Sequence, residues 1–329
     1  MTTGRQLNSP VVAMDLGGTK FVTALVSPDG QIIAREYNPT LADEGCDAVV
    51  RRLLLTIRRV AETAATPLVS VSNIAVAAAG AIDSAAGIVT DSPNLPGWHN
   101  IPLREIVEKE TGIRTLIVND ASAAALGEFH FGAGRGAKNM IYLTVSTGIG
   151  GGIILGGKLY TGSSGCAGEI GHTTVDINGP RCSCGNFGCL EMLASGKAVA
   201  REAQRLARQG GKTLLTELAE GDTHNITAQT VSAAAQKSDP LALGIVSRAA
   251  EYLGVGMVNL VNIFNPDLIV VGGGMARMGD ALLEGARKVV LERAFALPAQ
   301  KVRIVAGQLG DNAGVLGAVA SVKALEGPA

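Results

Sequence analysis

Aromatic residues and unbalanced charge are both scarce in this sequence. Phe, Tyr and Trp make up 3% of the 329 residues, and the formal net charge is −1. No run of Lys or Arg is longer than two residues. Because nucleic-acid binding relies on clustered positive charge and often on aromatic stacking, this composition predicts no nucleic-acid partner.

Long uninterrupted apolar segments and an even set of cysteines are also missing. The longest apolar region, residues 253–275, is broken by Asn, Pro and Asp, which excludes a simple membrane span. The amino-terminal segment lacks the apolar core of a signal peptide. Five cysteines, three of them crowded into residues 182–189, argue against a secreted disulfide framework. We therefore expect a cytoplasmic protein without a membrane partner.

What the sequence does contain is a repeated pattern of strand, glycine-rich corner and strand. Hydrophobic residues make up 47% of the chain, and its length favours two domains. Residues 11–39 predict three strands in a meander, and residues 139–160 repeat the pattern. Each copy opens a region of mixed strands and helices. The repeat predicts two related α/β domains with a ligand cleft between them.

The first corner reads "DLGGTK". Gly17 and Gly18 permit a tight turn with exposed N–H groups, and Thr19 and Lys20 add a hydroxyl and a cation, a set of donors that suits a phosphate. A simple hairpin corner is the alternative. Asp15 favours phosphate binding with a cation, because a carboxylate beside a phosphate is unfavourable unless Mg²⁺ lies between them.

The second corner reads "STGIGGG" and is again rich in hydroxyls and glycines. Its candidate phosphate-binding residues are Ser146, Thr147, Gly148 and Gly150. A hairpin with a purely structural role would not need so many glycines. We therefore predict a second phosphate loop here.

A third glycine run follows a predicted buried strand. It consists of Gly272, Gly273 and Gly274. Its bare backbone would let a flat ligand approach closely, and a tight strand-to-helix turn is the alternative. P-loop and Rossmann motifs are absent from the sequence. Two phosphate hairpins and an adenosine-type glycine turn on two α/β domains resemble the actin/hexokinase/heat-shock ATPase superfamily, which has a ribonuclease H-like fold.

Two polar segments of the first half are candidates for substrate binding. "VND" ends a predicted strand and places Asn119 and Asp120 at the start of a helix, where Asp120 is either a helix cap or a general base. "DSPNLPGWHN" places Asn94 in a turn beside Trp98. An Asn side chain both donates and accepts hydrogen bonds, as recognition of sugar hydroxyls requires, although a plain turn also fits this segment.

One histidine and three cysteines have the composition of a zinc site. His172, Cys182, Cys184 and Cys189 lie within one short segment whose glycines permit sharp turns. A disulfide is the alternative. Four protein ligands complete a tetrahedron and leave no position for an activated water, so this pattern predicts a structural Zn²⁺.

These motifs together resemble the ROK family, named from repressors, open reading frames and kinases. The resemblance rests on "DLGGTK", "VND", "STGIGGG", "GEIGH" followed by "CSCGNFGCLE", and "VVGGG", in order over nearly the whole chain. It implies two actin-like α/β domains. The smaller would comprise residues 1–118 and 311–329, and the larger residues 119–310 with a zinc-binding insertion at 168–191. Homodimers or homotetramers are also implied.

The resemblance further implies ATP-dependent phosphorylation of the 6-hydroxyl of a hexose, with Asp120 as the base. The sugar would be bound by Asn94, Asn119, Asp120, Glu169, His172 and Glu191, with His172 also binding zinc. ATP and Mg²⁺ would be bound by the two corners, Asp15 and the third glycine run. "NLPGWHNIPL" resembles the turn of glucose-phosphorylating members, so glucose is the expected hexose. N-acetylmannosamine, N-acetylglucosamine and fructose are the alternatives.

The family also contains sugar-responsive repressors, which carry a helix-turn-helix before the first corner. Only 14 residues precede Asp15 in the given sequence, which favours the kinases. A sugar sensor without turnover would predict loss of Asp120 or of a corner, and the sequence retains them.

Overall fold

The computed structural model describes residues 9–210, 213–278 and 280–326, so both outer ends of the predicted smaller domain lie outside the described residues. The strands are β1 Val11–Leu16, β2 Lys20–Val26, β3 Ile32–Pro39, β4 Asn73–Ala78, β5 Ala81–Asp83, β6 Ile88–Asp91, β7 His99–Ile101, β8 Thr115–Asn119, β9 Met140–Val145, β10 Ile149–Leu155, β11 Lys158–Tyr160, β12 Leu268–Gly272 and β13 Arg303–Ala306. The helices are α1 Cys46–Thr63, α2 Leu103–Thr111, α3 Asp120–Phe131, α4 Leu190–Ala194, α5 Gly196–Arg208, α6 Leu214–Leu218, α7 Ala228–Gln236, α8 Pro240–Phe264, α9 Asp280–Arg293, α10 Ala296–Lys301 and α11 Ala313–Glu326.

The first sheet has the strand order β3-β2-β1-β4-β8 and confirms the predicted meander. Strands β1, β2 and β3 pair antiparallel, whereas β4 and β8 extend the sheet in parallel. Successive residues of β1 point to opposite faces. Val12 and Met14 join a core that includes α1 and α2, whereas Val11 and Ala13 join a core that includes α11. The sheet is therefore covered by helices on both faces.

The second sheet has the order β11-β10-β9-β12-β13, which repeats the topology of the first sheet. Strand β12 lies parallel to both β9 and β13, and β10 pairs antiparallel with β11. The duplicated α/β pattern predicted from the two glycine corners is therefore confirmed.

A third, small antiparallel sheet was not predicted from the sequence. It consists of β5, β6 and β7. The segment with Asn94 connects β6 to β7, and Trp98 at its end is fully buried. Burial of the Trp98 and Leu95 side chains anchors this turn to the core.

The chain divides into two compact units whose boundaries differ from the predicted ones. Unit 1 contains residues 1–136, 152–168 and 309–329, and unit 2 contains residues 137–151 and 169–308. Residues 119–136, 152–168 and 309–310, placed in the larger domain from the sequence, belong to unit 1. For residues 119–136 the reason is that α3 packs closely on α11, where a Cβ at Gly127 would lie 2.6 Å from the Ala313 carbonyl oxygen.

Helix α8 begins and ends at residues whose chemistry favours helix boundaries. The Asp239 side chain accepts a hydrogen bond from the Ala242 N–H at 2.9 Å, Pro240 is the first helical residue, and Asn265 ends the helix with a φ of 45°. In length and composition α8 could cross a membrane, but 56% of its most apolar window is buried in the structure. Because the core helix of a soluble protein passes the same test, this is weak evidence for a membrane span.

Candidate active site

The first glycine corner, between β1 and β2, contacts the turn that carries Asn94. The Gly17 N–H donates to the Lys20 carbonyl oxygen at 3.1 Å, which closes the turn. A Cβ at Gly18 would lie 2.9 Å from the Asn94 Cβ and closer still to the Asn94 carbonyl oxygen. The φ of Gly18 is not positive, so its backbone conformation does not require glycine. Glycine is needed here because the corner and the Asn94 turn approach each other closely. The structure brings the predicted phosphate corner and one predicted sugar-binding residue together.

Asp15 lies at the end of β1 in a negatively charged environment. Alternate residues of a strand point to the same face, so the Asp15 side chain lies on the same face as those of Val11 and Ala13, which is the face covered by α11. Burial, then the charges of Asp120 and Asp311, raise the pKa of Asp15 to about 7, while the Lys20 cation opposes that shift. Carboxylate oxygens are preferred Mg²⁺ ligands, and a divalent cation would offset this local repulsion. The residues present therefore fit Mg²⁺.

We expect Asp15 to cost stability at neutral and alkaline pH. Its folded pKa is about 7 and its unfolded value is near 3.8, so the folded protein retains a proton between these values that the unfolded chain has lost. The free energy of unfolding should then fall as pH rises from 4 to 7 and stay low above pH 7. Asp15→Asn, which stays uncharged, should stabilise the metal-free protein at pH 8 by roughly 1–3 kcal/mol.

Urea unfolding at pH 5 and pH 8 without divalent cations measures this effect. The exposed carboxylate of Asp43 provides a control, since Asp43→Asn should behave alike at both pH values. An equal effect of Asp15→Asn at both pH values would contradict the prediction.

Asn119 and Asp120 lie where β8 becomes α3. The Asn119 Oδ1 accepts a hydrogen bond from the Ser122 N–H at 3.0 Å and therefore caps the helix, and the Asn119 Nδ2 donates to the Gly80 carbonyl oxygen at 3.1 Å. The Asp120 Oδ1 accepts from the Ala121 N–H at 2.8 Å. The cap is thus Asn119 rather than Asp120. Beyond these two hydrogen bonds, the Asn119 amide has one more N–H and one more oxygen lone pair with which it could bind a ligand.

In unit 2, the second glycine corner packs against the start of α5. The Ser146 and Thr147 carbonyl oxygens accept hydrogen bonds from the Gly196 and Lys197 N–H groups, at 2.7 and 3.2 Å. The Ser146 N–H donates to the Gly148 carbonyl oxygen at 2.9 Å. These bonds fix the corner, whose Ser146 and Thr147 side chains are exposed.

Glu191 connects the second corner to the cysteine segment. Its Oε2 accepts a hydrogen bond from the Ile149 N–H at 2.8 Å. A Cβ at Gly148 would lie 3.1 Å from the Glu191 Cδ and closer still to its Oε2, so this glycine makes room for the carboxylate. Gly150 follows in β10. The predicted sugar-binding residue Glu191 is thus held directly on the predicted phosphate corner.

The second corner also borders a cavity of ≈ 570 Å³ within unit 2, a size typical of small-molecule sites. Gly274 lines it near Ser146, and Gly273 has a φ of +86°, so the third glycine run is also a turn that favours glycine. Gly272 ends β12, where a Cβ would lie 2.8 Å from the Tyr142 Cζ. The cavity lining is Ser146, Thr147, Gly196, Lys197, Ala200, Gln204, His224, Ile226, Thr227, Ala228, Gln229, Ser232, Ala233, Gln236, Gly274, Met275 and Met278.

Among the described residues of this lining there is no carboxylate, and Lys197 contributes a positive charge. Gln204 stiffens the wall because its Nε2 donates to the carbonyl oxygens of His224 and Ile226, at 3.2 and 2.9 Å. Such a lining suits an anionic ligand with a polar ring. The contribution of α5 and α7 to the cavity lining could not be predicted from the sequence, because polar residues on an ordinary amphipathic helix form no recognisable motif.

His172, Cys182, Cys184 and Cys189 form one cluster, with their ligand atoms all within 4.8 Å of one another. The Cys182 Sγ lies 3.6 Å from the His172 Nδ1, and the Cys184 and Cys189 Sγ atoms are 3.7 Å apart. A tetrahedral zinc site places two sulfurs roughly 3.8 Å apart and sulfur and nitrogen roughly 3.6 Å apart. The cluster therefore fits Zn²⁺, and all five cysteines are free thiols.

Two thiols of the cluster have shifted pKa values. Burial raises the pKa of the Cys189 thiol to about 12, helped by the neighbouring Cys184. A hydrogen bond from the Asn186 backbone lowers the pKa of Cys184. The His172 Nε2 lies 3.9 Å from the Glu169 Oε2, beyond hydrogen-bond distance, on the ring edge opposite Nδ1. One ring nitrogen is thus available to a metal and the other to a ligand hydroxyl.

In unit 1, the charges of Lys20, Asp120 and Asp311 act on Asp15, and Asn94 lies beside Gly18. Unit 2 gathers the second corner, the third glycine run, Glu191 and the zinc-type cluster. The sequence prediction missed Asp311, the third carboxylate of the first group. Its signal was an acidic residue immediately before the last helix, in "GDNAG".

Fold and site together define an α/β protein of the actin-like class, with two glycine corners, clustered carboxylates and a Cys₃His cluster. The chain belongs to the ROK family, whose model matches residues 11–324.

Its relatives include both enzymes and regulators. The chain is 38% identical to a protein named glucokinase from Thermotoga maritima, over 95% of this chain and 97% of that one. It is 34% identical to a putative xylose repressor from Caldicellulosiruptor sp., over 95% of this chain and 77% of the repressor. A solved ROK family glucokinase from Streptomyces griseus, in complex with glucose and AMPPNP, superimposes with a TM-score of 0.83 at 33% identity, over 95% of this chain and 98% of that one.

Proposed function

We propose that the protein is an ATP-dependent hexose kinase that phosphorylates the 6-hydroxyl of glucose. The main support for this proposal is that three interacting carboxylates, those of Asp15, Asp120 and Asp311, lie at the first glycine corner. A glycine corner with a cation-binding carboxylate and a second carboxylate suits phosphoryl transfer, which needs positioning, charge neutralisation and one base. The similarity to two proteins named glucokinase supports the same reaction.

In this proposal Asp120 takes the proton of the 6-hydroxyl as the hydroxyl oxygen attacks the γ-phosphorus. The new O–P bond forms while the bond to the bridging oxygen breaks, and its electron pair leaves on ADP. Asp15 would hold Mg²⁺, which neutralises phosphate charge when bound. Both glycine corners would bind the phosphates, and the cavity beside Gly274 would accept the nucleoside.

Recognition of the sugar is assigned to Asn94 and Asn119 in unit 1 and to Glu169, His172 and Glu191 in unit 2. The side chains of His172 and Glu191 are held by the cysteine segment and the second corner, which would keep them rigid. Zn²⁺ would be held by the His172 Nδ1 and three thiolates. Its role is to fix these side chains, since the four protein ligands fill the tetrahedron.

A sugar-binding regulator without turnover is the second candidate function, because the chain also resembles a xylose repressor. Retention of both Asp15 and Asp120 favours the kinase. Homodimers or homotetramers and a cytoplasmic location remain predictions from the family resemblance.

A coupled ADP-release assay tests the proposal. We expect turnover with glucose that exceeds turnover with fructose, N-acetylglucosamine and N-acetylmannosamine, with ATP preferred to polyphosphate. Trp98, the only tryptophan, lies on the segment of Asn94, so its fluorescence should report glucose binding independently. Glucose binding without ADP release from any hexose would reject the kinase and favour the regulator. A stronger response to another hexose would reject glucose as the substrate.

A further inference from the structure

The first turn of α11 lies directly against the side chain of Asp15. A Cβ built at Gly314 would lie 2.5 Å from the Asp15 Cγ and 3.0 Å from its Oδ1, and its Oδ2 is closer still. The three nearest atoms to this position all belong to one carboxyl group. Any side chain at residue 314 would therefore occupy the place of the Asp15 carboxylate.

This contact has two causes: the face of β1 from which Asp15 points, and the hydrogen bond that holds the segment before α11 in place. Asp15 points to the sheet face on which α11 packs, as Val11 does. The buried Glu128 of α3 holds the segment before α11, because its Oε1 accepts a hydrogen bond from the Leu309 N–H at 2.8 Å. Residues of α11 and β1 share a buried core, whereas the atoms nearest to position 314 are the end of the Asp15 side chain, so we expect that side chain to be displaced in a clash.

Gly317, also in α11, differs from Gly314 because it makes room for the backbone of another helix. A Cβ at Gly317 would lie 3.0 Å from the Ala123 Cα and closer still to its carbonyl carbon and oxygen. That clash involves the backbone of α3, so a side chain at 317 would force two packed helices apart. Gly314, in contrast, makes room for a side chain of the proposed site.

We propose that Gly314 is a positioning residue: without a side chain there, the Asp15 carboxylate keeps the position from which it would bind the Mg²⁺ of a bound nucleotide. The inference rests on the proposed function for the identity of the ligand. It explains why a helix, where glycine is disfavoured by about 1 kcal/mol relative to alanine, carries glycine at this position.

The test is Gly314→Ala, assayed with Mg²⁺ and AMPPNP as the probe of binding. We expect affinity for Mg²⁺·AMPPNP by calorimetry, and kcat, to fall about tenfold or more, with the glucose response of Trp98 fluorescence nearly unchanged. Any loss of melting temperature in Gly314→Ala should be smaller in the Asp15→Ala background, where the carboxylate is absent. Gly244→Ala is the matched control, since a Cβ at this exposed helical position meets nothing within 4 Å.

A double-mutant cycle with Asp15→Ala shows whether Gly314 acts through the carboxylate. In that background the carboxylate is gone, so Gly314→Ala should change the Mg²⁺·AMPPNP affinity by less than about twofold. If Gly314→Ala fails to fold alone but folds with Asp15→Ala, the contact is equally supported.

Normal nucleotide affinity and turnover in Gly314→Ala would overturn the proposal, as would misfolding in both backgrounds. Absence of turnover in the unmodified protein would reject the kinase function alone. The effect of Gly314→Ala on Mg²⁺·AMPPNP affinity would still decide the role of Gly314.

Discussion

Asp120→Asn should lower kcat by at least about 10²–10⁴-fold while glucose binding stays within a few-fold of the unmodified protein. An amide cannot accept the proton of the 6-hydroxyl, and removal of a positioned general base has an effect of this order. Asparagine keeps the shape of the side chain and an Oδ1 that can still accept from the Ala121 N–H. The loss should therefore appear in chemistry and not in substrate binding.

Folding should not contribute to this result. The cap of α3 is Asn119, whose Oδ1 accepts from the Ser122 N–H, and Asp120→Asn leaves that bond in place. Coupled ADP release measures turnover, and Trp98 fluorescence measures glucose binding. Asp43→Asn, at an exposed site in unit 1, is the matched control. Turnover within tenfold of normal would assign the base to another residue.

Loss of the zinc-type cluster should have the other large effect. We expect one Zn²⁺ per chain by metal analysis. Cys184→Ser should lower the free energy of unfolding by about 4 kcal/mol or more, in the range associated with loss of a structural metal. Glucose affinity should fall together with stability by about 10–100-fold. Removal of zinc with a chelator should have the same two effects.

We expect these effects because the cluster fixes two of the proposed sugar-binding side chains, Glu191 and His172. Cys189 directly precedes α4, which carries Glu191, and the Glu191 carboxylate binds the Ile149 N–H of the second corner. His172 is fixed through its Nδ1, beside the Cys182 sulfur. Without the metal, both side chains would lose their fixed positions, and sugar binding would require them to be ordered again.

Cys166→Ser is the matched control for this experiment, because Cys166 is an exposed free thiol outside the cluster. It should retain zinc, stability and glucose affinity. If zinc removal stopped turnover but left stability and glucose affinity intact, the metal would have a chemical role and the structural assignment would be wrong. A protein purified without zinc and fully stable would reject the site itself.

The elements that depend on neighbours in sequence were predictable. The meander of β1 to β3, its repeat at β9 and β10, and the cap of α8 at Asp239 all depend on local alternation, glycine or capping chemistry. The Cys₃His cluster was also predictable, because its four ligands lie in one short segment and turn glycines bring them together. The small sheet of β5 to β7 was missed because its strands of three or four residues are too short to show a period.

The duplicated α/β pattern, the two glycine corners and the metal-type cluster could therefore be predicted, since each is encoded in residues close together in the chain. Three other features appear only when the chain is folded: Asp311 acts on Asp15, Gly314 lies against the Asp15 carboxylate, and α5 and α7 line a cavity beside the second corner. These contacts join residues far apart in the chain. They depend on which strand faces and helices pack together, and local propensity carries no information about that choice.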